Sequence, residues 1–122
     1  MYEGYILDNK ANKFGVMTYP SNKKYIGEWR NGKKDGKGFI CLPNGEYYYG
    51  DWANDVAEGQ GELKYENGLV YRGGIKNGCR DGFGRINFAN GFVFKGLFNN
   101  NFFRGDGTQF DRSGKEIKPV FN

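Results

Sequence analysis

A repeat with a period of 23 residues runs through the chain and limits the folds that it can adopt. One glycine column keeps this step: Gly4, Gly27, Gly50, Gly73 and Gly96. An aromatic residue stands two positions before each of these glycines: Tyr2, Tyr25, Tyr48, Tyr71 and Phe94. A second glycine column has the same step: Gly15, Gly38, Gly61, Gly84 and Gly107. A fixed period of this length indicates one supersecondary unit that stacks on copies of itself.

Each unit, counted from its leading aromatic residue, contains two short strand patterns. The units are 2–24, 25–47, 48–70, 71–93 and 94–116, followed by a short tail at 117–122. In the second unit, residues 25–29 alternate an aromatic, a glycine and a tryptophan with other residues, and residues 38–42 repeat the alternation with glycine first. A period of two residues predicts strands whose large side chains share one face.

The strands of each unit are predicted to form a hairpin. Residues 31–36 are rich in Asn, Gly and charge, which predicts a loop inside the unit. Tight type I′ turns are expected between units, at the pairs Asn44-Gly45, Asn67-Gly68, Asn90-Gly91 and Ser113-Gly114. The expected fold is therefore all-β, a single-layer twisted antiparallel meander of five hairpins, forming one domain over residues 1–122.

Glycine inside a strand normally weakens it, so these two columns need a reason. Gly27 and Gly38 fall on the same face as Tyr25 and Trp29, where any side chain would collide with the rings. We expect the rings to lie flat across bare backbone, which lets one sheet bury aromatic area without a second layer.

The pattern Tyr-x-Gly-x-Trp-x-x-Gly-x-x-x-Gly-x-Gly, complete at residues 25–38, resembles the MORN repeat (membrane occupation and recognition nexus). The resemblance covers residues 2–116, with departures at Ile6, Asn9, Lys13, Asp55 and Asn101. It implies a hairpin meander. Similar repeats serve as scaffolds, ciliary components, membrane-junction proteins and appendages of enzymes, so a cytoplasmic protein in a cytoskeletal or ciliary assembly is the expected setting.

Composition argues against catalysis and against a metal or cofactor. The chain has no histidine, which removes the commonest general base and metal ligand. Cys41 and Cys79 lie far apart and form no Cys-x-x-Cys pair. The Gly-x-Gly doublets, such as residues 36–38, open no predicted helix that would hold a phosphate. The N-terminus carries no secretory signal pattern, and no apolar run is long enough to span a membrane.

The aromatic columns predict a partner-binding groove. Its expected lining is five large exposed rings: Tyr25, Trp29, Tyr48, Trp52 and Tyr71. Regularly spaced rings suit an extended or helical peptide, which would contact several of them at once. The favoured function is a non-catalytic scaffold or assembly subunit that binds other proteins within a larger complex.

A basic cluster supports the alternative function, a peripheral membrane adaptor for anionic lipids or phosphoinositides. Its residues are Lys23, Lys24, Arg30, Lys33, Lys34 and Lys37. The third unit is acidic, with Asp51, Asp55, Glu58, Glu62 and Glu66, and it interrupts any basic stripe. Because phosphate-tracking surfaces need such a stripe, nucleic acid is not an expected partner.

The fifth unit carries Phe102 and Phe103 where the other units have mainly charged or small residues. Two adjacent phenylalanines at a hairpin tip, with Phe98 nearby, predict an apolar end of the sheet. Such an end either docks on another chain, including a second copy of this one, or folds back to cap the last strand. The sequence leaves both interpretations open.

Overall fold

In the computed structural model, the described part of the chain, residues 1–117 without the side chains at 105 and 106, forms one antiparallel sheet. The strands are β1 (Tyr2–Leu7), β2 (Lys10–Thr18), β3 (Lys24–Arg30), β4 (Lys33–Cys41), β5 (Tyr47–Ala53), β6 (Val56–Lys64), β7 (Val70–Lys76), β8 (Cys79–Asn87), β9 (Val93–Asn99), β10 (Phe102–Phe110) and β11 (Glu116–Ile117). Their order in the sheet is their order in the chain. The predicted meander of hairpins is confirmed; of the predicted tail, only Ile117 lies within the described residues.

The two glycine columns form one row across the sheet. Gly15 pairs with Gly27, Gly27 with Gly38, and the row continues through every strand from Gly4 to Gly107. A Cβ added to Gly38 would collide with the ring of Tyr25, and the other units have equivalent collisions. The Tyr25 hydroxyl donates a hydrogen bond to the backbone oxygen of Glu28 at 2.9 Å. The prediction that rings lie on bare backbone is confirmed.

Turns lie at the predicted pairs between units, but the prediction that they are type I′ is wrong. The tight turn lies inside each unit, at Asn31-Gly32, where both φ angles are positive (50° and 81°), as a type I′ turn requires. The predicted loop at 31–36 is therefore absent, because β4 begins at Lys33. Between units, Gly45 N–H donates to the oxygen of Leu42, and only Gly45 has positive φ. Pro43 fixes its own φ near −65°, which suits a type I turn followed by glycine.

A bulge in β4 determines which side chain faces the core. Gly27 pairs with Gly38 but Trp29 pairs with Lys34, so three residues of β4 lie opposite Glu28. Gly36 takes a φ of 102° in this bulge, and the backbone N–H of Lys37 donates to Glu28 Oε1 at 2.7 Å. The bulge thereby places Lys34 directly opposite Trp29, on the aromatic side of the sheet.

The core lies on one side of the sheet, which we call the aromatic face. Its buried residues are Tyr25, Trp29, Tyr48, Trp52, Tyr71, Ile75, Ile86, Phe94 and Phe98. Tyr25 lies edge to face with Trp29 of its own unit (5.0 Å between ring centroids) and with Trp52 of the next unit (5.4 Å). Each unit thus covers the ring of the unit before it, and stacking along the chain replaces a second layer. Among residues 1–117 no helix of the length and apolarity needed to cross a bilayer occurs.

Candidate functional site

The five rings predicted to line an exposed groove are buried, so that expectation is wrong. Tyr25 and Tyr71 are 0% exposed, Tyr48 is 5%, Trp29 is 6% and Trp52 is 9%. The rings are buried because rings of successive units pack against one another, although no second sheet or helix covers this face. The polar atoms of the rings are satisfied internally: Trp29 Nε1, for example, donates to the backbone oxygen of Gly15 at 3.1 Å. The rings therefore form the core, and a partner on this face would meet the side chains above them.

Lys34 is one of these covering side chains. Its Nζ lies 5.5 Å from the ring centroid of Trp52, 5.7 Å from that of Tyr25 and 5.9 Å from that of Trp29. Asp55 Oδ1 is 3.6 Å from the same Nζ and accepts the Lys34 backbone N–H at 2.7 Å. The attraction between a cation and the faces of several aromatic rings stabilises the folded chain most when the cation is partly removed from water, as Lys34 is here beside Asp55. Lys34 is thus held on the rings rather than offered to a lipid headgroup.

Arg80 repeats this arrangement two units later. Its guanidinium lies 5.4 Å from the ring centroid of Phe98 and 5.6 Å from that of Tyr65. Arg80 Nη2 donates to the backbone oxygen of Asn101 at 2.8 Å, and Asn101 Oδ1 accepts the Arg80 backbone N–H. Arg80 Nε is buried without a hydrogen-bond partner among the described residues.

These cation contacts recur two units apart rather than in every unit, and in the fifth unit Phe103 takes the equivalent position. The residue that faces the rings alternates along the chain as Ala11, Lys34, Ala57 and Arg80. Each cation is held by a turn residue of the next unit: Asp55 holds Lys34, and Asn101 holds Arg80. Along the chain, this turn position alternates between a polar side chain and glycine: Asn9, Gly32, Asp55, Gly78 and Asn101. The sequence contains this alternation, but the sequence analysis treated Asn9, Asp55 and Asn101 as losses of the repeat glycine rather than as a pattern of their own.

The six residues of the basic cluster do not share one surface. Lys34 lies on the aromatic face, whereas Lys37 lies on the opposite face in an ion pair with Asp51. The hydrogen bond in that pair raises the pKa of Lys37 and lowers the pKa of Asp51. Lys23 covers the ring of Tyr19 at 4.8 Å. Lys24 begins β3 and Arg30 ends it, so these two lie at opposite ends of the strand.

The structure separates the two phenylalanines of the C-terminal tip. The Phe103 ring is half-buried against Phe94, with the centroids 4.6 Å apart, and also contacts the buried Phe98 at 6.2 Å. Phe102 points away and is 75% exposed. The capping interpretation therefore describes Phe103, while Phe102 keeps an exposed apolar ring.

The side of the sheet opposite the aromatic face, which we call the open face, carries large side chains that were not expected there. Phe14, Tyr49, Phe83 and Leu97 are each more than half exposed on it. Phe14, Ile26, Phe39 and Tyr49 line a shallow apolar depression beside Lys37. These residues belong to no 23-residue column, and the only sequence signal for them is their size at positions between the columns.

The fold and the two faces define a repeat protein of stacked β-hairpins with a one-sided aromatic core. A family model described as the MORN repeat matches residues 2–24, 25–47, 48–70 and 71–93, and the chain belongs to this family. All of the hairpin β9–β10 except Val93 lies outside the match, yet it pairs Gly96 with Gly107 as the other units do. Repeats of this family are generally non-catalytic modules that bind proteins or lipids. A search of curated proteins found no match to the chain.

Proposed function

We propose that this chain is a non-catalytic interaction module that binds another protein as a scaffold or assembly subunit. The observation that carries the proposal is the contrast between its faces. The aromatic face is closed by its own rings, whereas Phe83 and Leu97 lie directly opposite each other on the open face and are 63% and 53% exposed. Adjacent exposed apolar side chains commonly mark a contact site. The partner surface is then the open face and not the five buried rings.

A larger cytoskeletal or ciliary complex is the setting that we propose for this module, on the strength of the family resemblance. Extracts of ciliated and non-ciliated cells separate this setting from others. Elution with a larger assembly from the first extract alone would support a ciliary complex, and elution with a larger assembly from both extracts would support a cytoskeletal one. Monomer elution from both would contradict the proposed setting.

Partner capture with matched baits tests the binding function itself. The baits are the unchanged chain, Phe83→Ser with Leu97→Ser, and Ile6→Ser as a control that removes an exposed apolar side chain from the aromatic face. We expect at least one protein to be retained in fixed ratio by the unchanged chain and the control and to be lost by the double variant. Recovery of the same proteins by all three baits would contradict binding through the open face.

The alternative function, a peripheral membrane adaptor, is supported by a smaller basic site than the sequence predicted. Lys10, Arg30 and Lys33 line one depression at the turn end of the first two units, together with Asp35. Co-sedimentation with phosphatidylserine vesicles tests it, using Lys10→Glu with Lys33→Glu as the variant. Binding that needs anionic lipid and disappears in the variant would favour the adaptor.

The C-terminal tip supports a second kind of protein contact, self-association. Phe102 exposes most of its ring beside the capped end of the sheet. Sedimentation of the whole chain over a range of concentrations would show concentration-dependent dimers, and Phe102→Ser would abolish them. A monomer at all concentrations would contradict this contact.

A further inference from the structure

One row of directly opposite residues crosses the open face, and its side chains change from apolar to basic halfway along the sheet. From β2 to β5 the row is apolar: Val16, Ile26, Phe39 and Tyr49. Glu62 follows on β6, and from β7 to β9 the row is basic: Arg72, Arg85 and Lys95. We call this set the open-face row. It lies next to the glycine row, so its members stand side by side on neighbouring strands.

The apolar half of the open-face row offers a ready contact surface. The rings of Phe39 and Tyr49 have centroids 6.4 Å apart, and Tyr49 is 53% exposed. Phe14 extends the half at its edge and is 59% exposed. Directly opposite side chains on a sheet lie about 5 Å apart, so these residues form a continuous surface rather than scattered rings.

The basic half of the open-face row places positive side chains directly opposite one another, which lowers the stability of the sheet. Arg72 lies directly opposite Arg85, and Arg85 lies directly opposite Lys95, an arrangement that destabilises strand pairing. Arg72 is compensated by an ion pair with Glu62. Among the described residues, the side chain of Arg85 donates to the amide oxygen of Asn87 at 3.0 Å, and the Lys95 ammonium lies over the Phe110 ring at 5.2 Å. Within the described residues neither Arg85 nor Lys95 has a carboxylate in ion-pair distance, so their charges are complementary to an anionic group.

We infer that the open-face row binds a helical segment of a partner protein that is apolar in one half and acidic in the other. This inference rests on the proposed binding function and adds a partner class. The open-face row runs beside Phe83 and Leu97, which stand two residues from Arg85 and Lys95 on β8 and β9. Strands are spaced about 4.8 Å apart, close to the 5.4 Å pitch of an α-helix, so a helix lying across them presents about one turn to each strand. From β2 to β9 this is about 34 Å, or roughly 22 residues of helix.

A protein segment fits this face better than an anionic membrane does. Glu28, Asp51 and Glu62 lie on the same face, opposite Phe14, Lys37 and Tyr49. An anionic bilayer would bring its headgroups against all three carboxylates at once, which is unfavourable. A segment can place its acidic side chains over Arg85 and Lys95 alone and its apolar side chains over the first four strands of the row.

Selection from a display library of random peptides of about 24 residues tests the inference on the whole chain. We expect the enriched peptides to carry an apolar block followed or preceded by an acidic block. In fluorescence anisotropy, Arg85→Glu with Lys95→Glu and, separately, Tyr49→Ser should each weaken the best peptide by about tenfold or more. Lys10→Glu with Lys33→Glu and Phe102→Ser are matched controls outside the row and should leave its affinity within about twofold.

The outcomes separate this inference from the broader proposal. Enriched peptides that bind the open-face variants as well as the unchanged chain would overturn the inference and leave the binding function standing. A library that yields no peptide above an empty support would contradict both. Binding to phosphatidylserine vesicles that is lost with Arg85 and Lys95, without peptide enrichment, would overturn the protein segment in favour of lipid. Circular dichroism and thermal unfolding of each variant show whether it is folded.

Discussion

Gly38 provides the sharpest test of how this sheet is stabilised. We predict that Gly38→Ala strongly destabilises the chain, because the new Cβ would occupy the position of the Tyr25 ring. That ring is fully buried and lies between Trp29 and Trp52, at 5.0 and 5.4 Å. It therefore cannot move aside without breaking both contacts.

The expected loss follows from the contacts that a displaced ring gives up. Each edge-to-face pair contributes about 1 kcal/mol beyond its buried area, and the hydroxyl bond to Glu28 contributes about 1 kcal/mol more. Strain from an overfilled core adds about 1–3 kcal/mol. The free energy of unfolding should fall by about 4–6 kcal/mol in total. Gly45→Ala is the matched control, since its Cβ meets nothing within 4 Å and only its φ of 95° is unfavourable, costing about 1 kcal/mol.

Urea unfolding followed by tryptophan fluorescence and circular dichroism measures both variants. The probes, Trp29 and Trp52, lie beside the perturbed ring. If Gly38→Ala is destabilised no more than Gly45→Ala, the rings do not depend on bare backbone, and the explanation of the glycine row is refuted. A loss confined to the Gly38 variant supports it.

Three further predictions concern the covering cation, the buried phenols and the tip. Lys34→Met keeps the aliphatic stem but removes the charge beside Asp55, so the free energy of unfolding should fall by about 1 kcal/mol in a thermal melt; an unchanged melt would contradict the cation contact. Burial raises the pKa of Tyr71 to about 12 and raises those of Tyr25 and Tyr48. Because unfolded tyrosine ionises near pH 10, the contribution of these three phenols to stability should be constant up to about pH 10 and be lost as the pH rises toward 12. Phenolate absorbance from all nine tyrosines in the folded chain at pH 11 would argue against this. Phe103→Ala should lower stability by about 1–3 kcal/mol in urea, since its ring packs on Phe94, whereas the exposed Phe102→Ser should change it by less than about 0.5 kcal/mol. Equal effects would refute the capping role.

Much of the fold was predictable because the residues that determine it recur at the same position of every 23-residue unit. The alternation in residues 25–29 and 38–42 predicts strands, and the glycines on the same face predict rings lying on backbone. The turns were not predictable from the Asn-Gly pair alone, because Asn31-Gly32 and Asn44-Gly45 contain the same two residues in different turns. The turns at Gly68 and Gly91 have the same conformation as the turn at Gly45 although no proline precedes them, so the local sequence alone does not distinguish the two turn types.

The candidate site was harder to predict, because side chains that lie on the same face of a sheet are not necessarily exposed to solvent. The period of two residues correctly places Tyr25 and Trp29 together, but it does not show that Trp52 of the next unit covers them. Lys34 was assigned to a basic surface because the positive charges nearby were counted along the chain. Its actual partners, Trp52 and Asp55, belong to the following unit, and only the pairing of strands brings them together.

The glycine row also explains why functional contacts are better placed on the open face than on the aromatic face. Each missing side chain of the row leaves space on one side of the sheet, and there a ring can lie flat and become buried. On the other side the neighbours of Phe39 and Tyr49 are full side chains such as Ile26 and Glu62, so a ring must stand upright and remain partly in solvent. Residues that stand upright can vary from unit to unit without disturbing the stack. The change from an apolar to a basic half along the open-face row is thus a feature that the repeat does not require, which is why we assign recognition to it.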